Sequence, residues 1–125
     1  MKKKKLLIIE DDAVLKNSLE EFLIAEGFEV STAPDGEVGV QKAFTEKPAL
    51  ILLDIVLPKK DGYEVLSEIK ANPETDHIPV ILLTNLSSLA DVEKALALGA
   101  TTYLVKADYR LDEITQKIKE ILNLK

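Results

Sequence analysis

Short apolar runs alternate with amphipathic segments along the whole chain, and no other feature limits the available folds as strongly. The runs occupy residues 6–9, 28–33, 49–53, 78–83 and 101–105. Within them, 6–9, 50–53 and 80–83 are apolar at every position. A strand with one wet face alternates apolar and polar residues, whereas a strand covered on both faces does not. These three therefore read as strands buried inside a parallel sheet. The segments between the runs place apolar residues at helical spacing. Leu15, Leu19, Phe22 and Leu23 make one such stripe, and Val65, Leu66 and Ile69 another. Leu89, Val92 and Leu96 follow, then Leu111, Ile114, Ile118, Ile121 and Leu122. Val38, Ala43 and Phe44 form a weaker stripe.

Gly27 and Gly99 follow the first and fourth stripes, where a helix commonly ends in a left-handed residue. Asp61 and Glu64 have capping-box spacing, and Asp35 and Ser88 are candidate N-caps. The start of the fifth helix is open between Asp108 and Leu111. Five strands alternating strictly with five helices predict an α/β fold, (βα)5, with a parallel sheet covered on both faces. Right-handed crossovers restrict the topology, and the common doubly wound order for five strands is 2-1-3-4-5. A length of 125 residues matches one compact domain over residues 1–125.

Composition removes several functional classes. There is no cysteine and a single histidine, His77, so thiolate chemistry and Ser/His or Cys/His catalysis lack their parts. No Gly-rich phosphate loop is present. The net charge is −6, which disfavours direct nucleic-acid binding. The lysines at positions 2–5 precede only four apolar residues, too few for a signal segment, and no run approaches a membrane span. They read as a solvated lead-in to the first strand, in a cytoplasmic protein.

In a doubly wound sheet, function gathers at the carboxyl ends of the strands. Strand one runs into Glu10-Asp11-Asp12, strand three into Asp54, strand four into Thr84-Asn85 and strand five into Lys106. Strands one and three are neighbours in this order, so their carboxylates meet. Two like charges ~4 Å apart cost on the order of 4 kcal/mol at an effective dielectric near 20. A hard cation relieves that repulsion, and an open, oxygen-only site suits Mg2+. Asp12 doubles as a helix cap. With other nucleophiles eliminated, a carboxylate remains, and attack on phosphorus gives an aspartyl phosphate. Lys106 and the Thr84 hydroxyl would then stabilise phosphoryl oxygens.

Four segments together resemble the receiver domain of two-component response regulators, of the single-domain chemotaxis type with a flavodoxin-like fold. They are residues 7–12 (LIIEDD), 53–58 (LDIVLP) with Asp61-Gly62, Leu83-Thr84, and residues 103–106 (YLVK). The resemblance covers essentially the whole chain. It implies that Asp54 is the phosphoacceptor, with Glu10 and Asp11 the acidic pair for Mg2+ (Mn2+ as a substitute) and Asp11 the direct ligand. Val56 would lend its backbone carbonyl to the metal, Thr84 would be the switch hydroxyl, Tyr103 its aromatic partner, and Lys106 the phosphoryl counter-charge. A histidine kinase or histidine phosphotransfer protein would be the donor. The face of the fourth helix, fifth strand and fifth helix would meet a downstream protein, in a monomer or a phosphorylation-dependent homodimer.

Two positions depart from the family pattern. Ala107 follows Lys106 where proline with a cis bond is usual, leaving a trans bond or a strained cis bond there. Asn85 follows Thr84 where a small apolar residue is usual. The positions that tune hydrolysis in the family are Val56 and Leu86, neither of which can orient a water, so slow self-dephosphorylation is expected. Val56 also stands where an aspartyl phosphohydrolase carries its second acid, which disfavours turnover. A phosphorylation-independent interaction module is the remaining alternative. Its mark, loss of the acids, acceptor or lysine, is absent.

Overall fold

The computed structural model describes residues 3–84, 89–106 and 110–124. Five strands, β1 (Lys5–Ile9), β2 (Glu29–Ala33), β3 (Leu50–Asp54), β4 (Val80–Thr84) and β5 (Thr102–Val105), form one parallel sheet in the order 2-1-3-4-5. The helices are α1 (Ala13–Ala25), α2 (Gly36–Glu46), α3 (Gly62–Ala71), α4 (Leu89–Ala97) and α5 (Leu111–Ile121). The predicted topology is the observed one.

Period-two alternation splits the continuous apolar strands between two cores. Leu7, Ile9, Ile51, Leu53, Val80 and Leu82 face α2, α3 and Ala95 of α4. Leu6, Ile8, Leu50, Leu52, Ile81 and Leu83 face α1 and α5, meeting Leu19, Leu23, Ile114 and Ile118. Every residue of β3 and β4 is buried, which is why these strands have no polar member until their carboxyl ends.

The caps follow the sequence signals. Asp12 accepts hydrogen bonds from the amides of Val14 and Leu15, Asp35 from Val38 and Asp61 from Glu64. Each satisfies an otherwise orphaned helical donor. Gly27 and Gly99 adopt φ +100° and +113°. The fifth helix starts after Arg110, which makes no side-chain cap. One stripe needs correction. Leu96 is exposed, and the described buried side chains of α4 are Val92 and Ala95. The stripe at Leu89, Val92 and Leu96 follows a three-and-four spacing that a wider stripe through Ala95 satisfies equally. Alanine was too small to mark that face by hydropathy. Ser88, Asn85, Leu86, Ala107 and Tyr109 lie outside the described residues.

The loop leaving β3 packs tightly against the first turn of α2. The Gly36 amide donates to Pro58 O at 3.3 Å, and a Cβ on Gly36 would stand 1.9 Å from the Lys60 carbonyl oxygen. Gly36→Ala should therefore displace backbone and cost about 2–3 kcal/mol in urea unfolding. Gly27→Ala meets nothing within 4 Å and should cost only about 1 kcal/mol, through its left-handed φ. Equal losses at the two positions would contradict this packing.

Candidate phosphoacceptor site

Strand register builds the site. Ile9 pairs with Leu53, so Glu10 and Asp54 stand side by side one step further on. Asp54 pairs with Leu83, and Thr84 closes β4 one step beyond. Thr84 pairs with Val105, and the Lys106 amide donates to Thr84 O at 2.7 Å. Neighbouring parallel strands lie ~4.8 Å apart, so this stagger gathers four chemically different side chains along one edge.

Glu10 has no exposed surface, and Asp54 and Thr84 are buried as well. The Lys106 ammonium bridges the two acids. Nζ lies 2.9 Å from Asp54 Oδ2, as a hydrogen bond, and 2.9 Å from Glu10 Oε1. Glu10 Oε1 is in ion-pair contact with that ammonium and has no other partner among the described residues, so this buried oxygen keeps unused acceptor capacity. The other Glu10 oxygen accepts from the Asp12 amide at 3.1 Å, and Asp54 Oδ1 accepts from the Val56 amide at 3.3 Å.

Burial dominates the electrostatics of Glu10. It pushes the carboxyl from about 4.5 up to about 7, against the opposing pull of Lys106 and the Asp12 amide. Burial also disfavours the Lys106 ammonium, but Asp54 and Glu10 outweigh it and leave its pKa raised. One cation thus faces two carboxylates, a local deficit of positive charge.

Carboxylate oxygens of Glu10, Asp11 and Asp54 lie within 4.8 Å of one another, with Asp11 exposed at the mouth. An all-oxygen donor set, open on one side and holding an under-coordinated buried oxygen, fits a hard divalent cation. Asp12 faces α1 as its cap instead. Tyr103 is partly exposed on β5, beside Leu82, and Val56 is largely exposed two residues past Asp54. His77 lies exposed in the turn before β4, beside Asp76.

The model of the response regulator receiver domain matches residues 6–119. The chain belongs to that family, the receivers of two-component signalling. Over 120 residues it is 40% identical to "Probable transcriptional regulator ycf27" of Cyanophora paradoxa, covering 96% of this chain and 48% of that protein. It spans about half the length of the curated ycf27 relatives it matches. The receiver domain of sensor histidine kinase PA1611 from Pseudomonas aeruginosa, solved with magnesium coordinated in its active-site cleft, superposes with a TM-score of 0.89. The identity is 29%, with 98% of this chain and 99% of that one covered. The Mn2+-bound form of response regulator Rcp1 is 35% identical, with a TM-score of 0.78, covering 94% of this chain and 92% of that one. As in the family, this receiver is a signalling switch rather than a turnover enzyme.

Two features of the receiver were not anticipated from its sequence. Lys106 was expected opposite the acids, but its bridging of both depends on side-chain reach across β3. Gly62 is the other. A Cβ there would lie 2.5 Å from the Asp54 carbonyl oxygen and 2.6 Å from Ile55 Cα, so glycine lets the returning chain seat against the backbone of Asp54. The Asp61-Gly62 pair signals a turn but not this close approach.

Folded Glu10 keeps its proton to a higher pH than the unfolded chain does. Between about pH 4.5 and 7 the folded, metal-free protein therefore binds more protons. This contribution to stability is full below the unfolded value and is lost as pH rises through about 7. The loss is on the order of 3 kcal/mol at most. Urea midpoints without metal should fall more steeply from pH 5 to 7.5 in the parent protein than in Glu10→Gln. Identical slopes would contradict the assignment.

Proposed function

We propose that Asp54 accepts a phosphoryl group from a phosphohistidine donor, a histidine kinase or histidine phosphotransfer protein. The observation that carries this reading is the buried Asp54 carboxylate, held 2.9 Å from Lys106 in a cluster with Glu10 and Asp11. An Asp54 oxygen attacks phosphorus, the P–N bond to the donor imidazole breaks, and the imidazole leaves with the electron pair. Mg2+, held by Glu10, Asp11, Asp54 and the Val56 backbone carbonyl, would neutralise charge on the phosphoryl oxygens, with Mn2+ as a substitute. Asp11, two residues past the end of β1, would be its direct carboxylate ligand. Lys106 already touches Asp54 Oδ2 and can move with the new anion. The Thr84 hydroxyl, at the end of the adjoining strand, supplies a further donor.

Signalling follows from Thr84 moving toward the phosphoryl group and Tyr103 turning inward. The partial exposure of Tyr103 and Leu96 leaves apolar surface on the α4–β5–α5 face, which suits a downstream protein or a phosphorylation-dependent homodimer. Residues 1–125 form one receiver domain that acts in the cytoplasm, catalysing its own phosphorylation and slow dephosphorylation. No described helix is long and apolar enough to cross a membrane.

Acetyl phosphate with Mg2+ should produce one base-labile phosphoryl adduct, absent in Asp54→Ala and without Mg2+. Lys106→Ala should slow its formation by about 100-fold or more, as loss of a transition-state donor does. An equal adduct on Asp54→Ala overturns the reading. The Val56 side chain cannot position a water, so the adduct should survive for minutes or longer, followed by phosphate release. Complete loss within seconds would contradict that part.

A further inference from the structure

Among the described residues helix α4, like α2, buries one valine and one alanine as its apolar side chains. Its described buried side chains are Val92 and Ala95, whereas α1 buries two leucines and α3 buries Val65, Leu66 and Ile69. Polar contacts add to its placement. At the end far from Asp54, Gly99 closes against the stem of Lys70, whose Cγ would lie 3.0 Å from a Cβ at Gly99. The Lys70 ammonium in turn donates to Asp76 O and Ile78 O. That support is a close backbone approach.

The near end is different. The Tyr63 hydroxyl donates to Asp91 O, in the first turn of α4, at 3.1 Å. The Lys94 ammonium sits 4.4 Å from the centroid of the same ring. Both contacts belong to one half-buried residue. Between them and Leu98 runs an open groove of about 480 Å³, bordered also by Glu64, Ser67 and Glu68, so solvent replaces side-chain packing there. Tyr63 directly follows Gly62, whose amide donates to Ile55 O at 2.7 Å and whose Cα rests against the Asp54 backbone. Asp54 and the first turn of α4 are thus joined through three consecutive links: Ile55–Gly62, the peptide to Tyr63, and Tyr63–Asp91.

We infer that Tyr63 is a positioning residue, a latch that holds the near end of α4 in its unphosphorylated place and so opposes phosphoryl uptake at Asp54. The inference rests on the reading of Asp54 as the acceptor. A contact made in only one of two arrangements biases the protein toward that arrangement, and removing it favours the other. Losing the Tyr63 hydroxyl should therefore loosen α4 and tighten binding of a phosphoryl mimic. A residue with a merely structural role would leave that binding unchanged or weaken it.

The test compares the parent protein with Tyr63→Phe, which keeps the ring. Amide hydrogen exchange without ligand should quicken in α4 by about three- to tenfold, the worth of one hydrogen bond, with β1 and β3 unchanged. Binding of beryllium fluoride with Mg2+, followed by NMR titration, should tighten by a similar factor. Lys94→Gln should act in the same direction, and Lys94→Arg, which keeps the cation over the ring, should behave as the parent. Unchanged exchange in α4, or unchanged or weaker beryllium fluoride binding in Tyr63→Phe, overturns the latch. Failure of the parent protein to bind beryllium fluoride at all would instead overturn the Asp54 reading, and the exchange comparison would still decide whether Tyr63 holds α4.

Discussion

The Lys106 ammonium stands 2.9 Å from both Glu10 and Asp54, two acids that the parallel register sets side by side inside the sheet edge. Without it, two adjacent buried carboxylates would have no counter-charge, and desolvation would drive at least one to protonate. With it, one positive charge serves two negative ones. Burial still holds the proton on Glu10 to about pH 7, against the pull of Lys106. The residual negative charge, together with exposed Asp11, makes the cluster a fit for a dication. The same arrangement leaves a charge imbalance that a dication would relieve.

Lys106 can fill this role only because the sheet and its loops are rigid. Three continuously apolar strands, β1, β3 and β4, are sealed on both faces, which prevents a register slip that would separate Glu10 from Asp54. The β3–α3 loop is pressed against α2 at Gly36 and against the Asp54 backbone at Gly62. These close approaches fix the carboxylate-bearing side of the site. On the opposite side, the described anchors of α4 include Val92, Ala95 and the Tyr63 contacts.

Much of this was readable beforehand. The continuous apolar runs named the buried strands, and the topology they imply put Glu10, Asp11, Asp54, Thr84 and Lys106 at one edge. Asp12, Asp35 and Asp61 cap helices as their local spacing predicts. Leu96 misled because leucine outweighs alanine in any hydropathy pattern, while packing space on α4 admits Ala95. The close approaches at Gly36 and Gly62 left no trace beyond ordinary turn chemistry, since the atoms they accommodate lie 24 and 8 residues away in sequence.

The amino-acid sequence by itself determined the alternation of elements, the strand order and the identity of the polar residues at the functional edge, because periodicity and chain connectivity are local properties. Tertiary structure alone decided that Lys106 reaches both acids, that burial sets the proton affinity of Glu10, and that Tyr63 spans from the acceptor loop to α4. Distances, desolvation and contacts across helices depend on how elements meet in space, and no pattern along the chain encodes them directly.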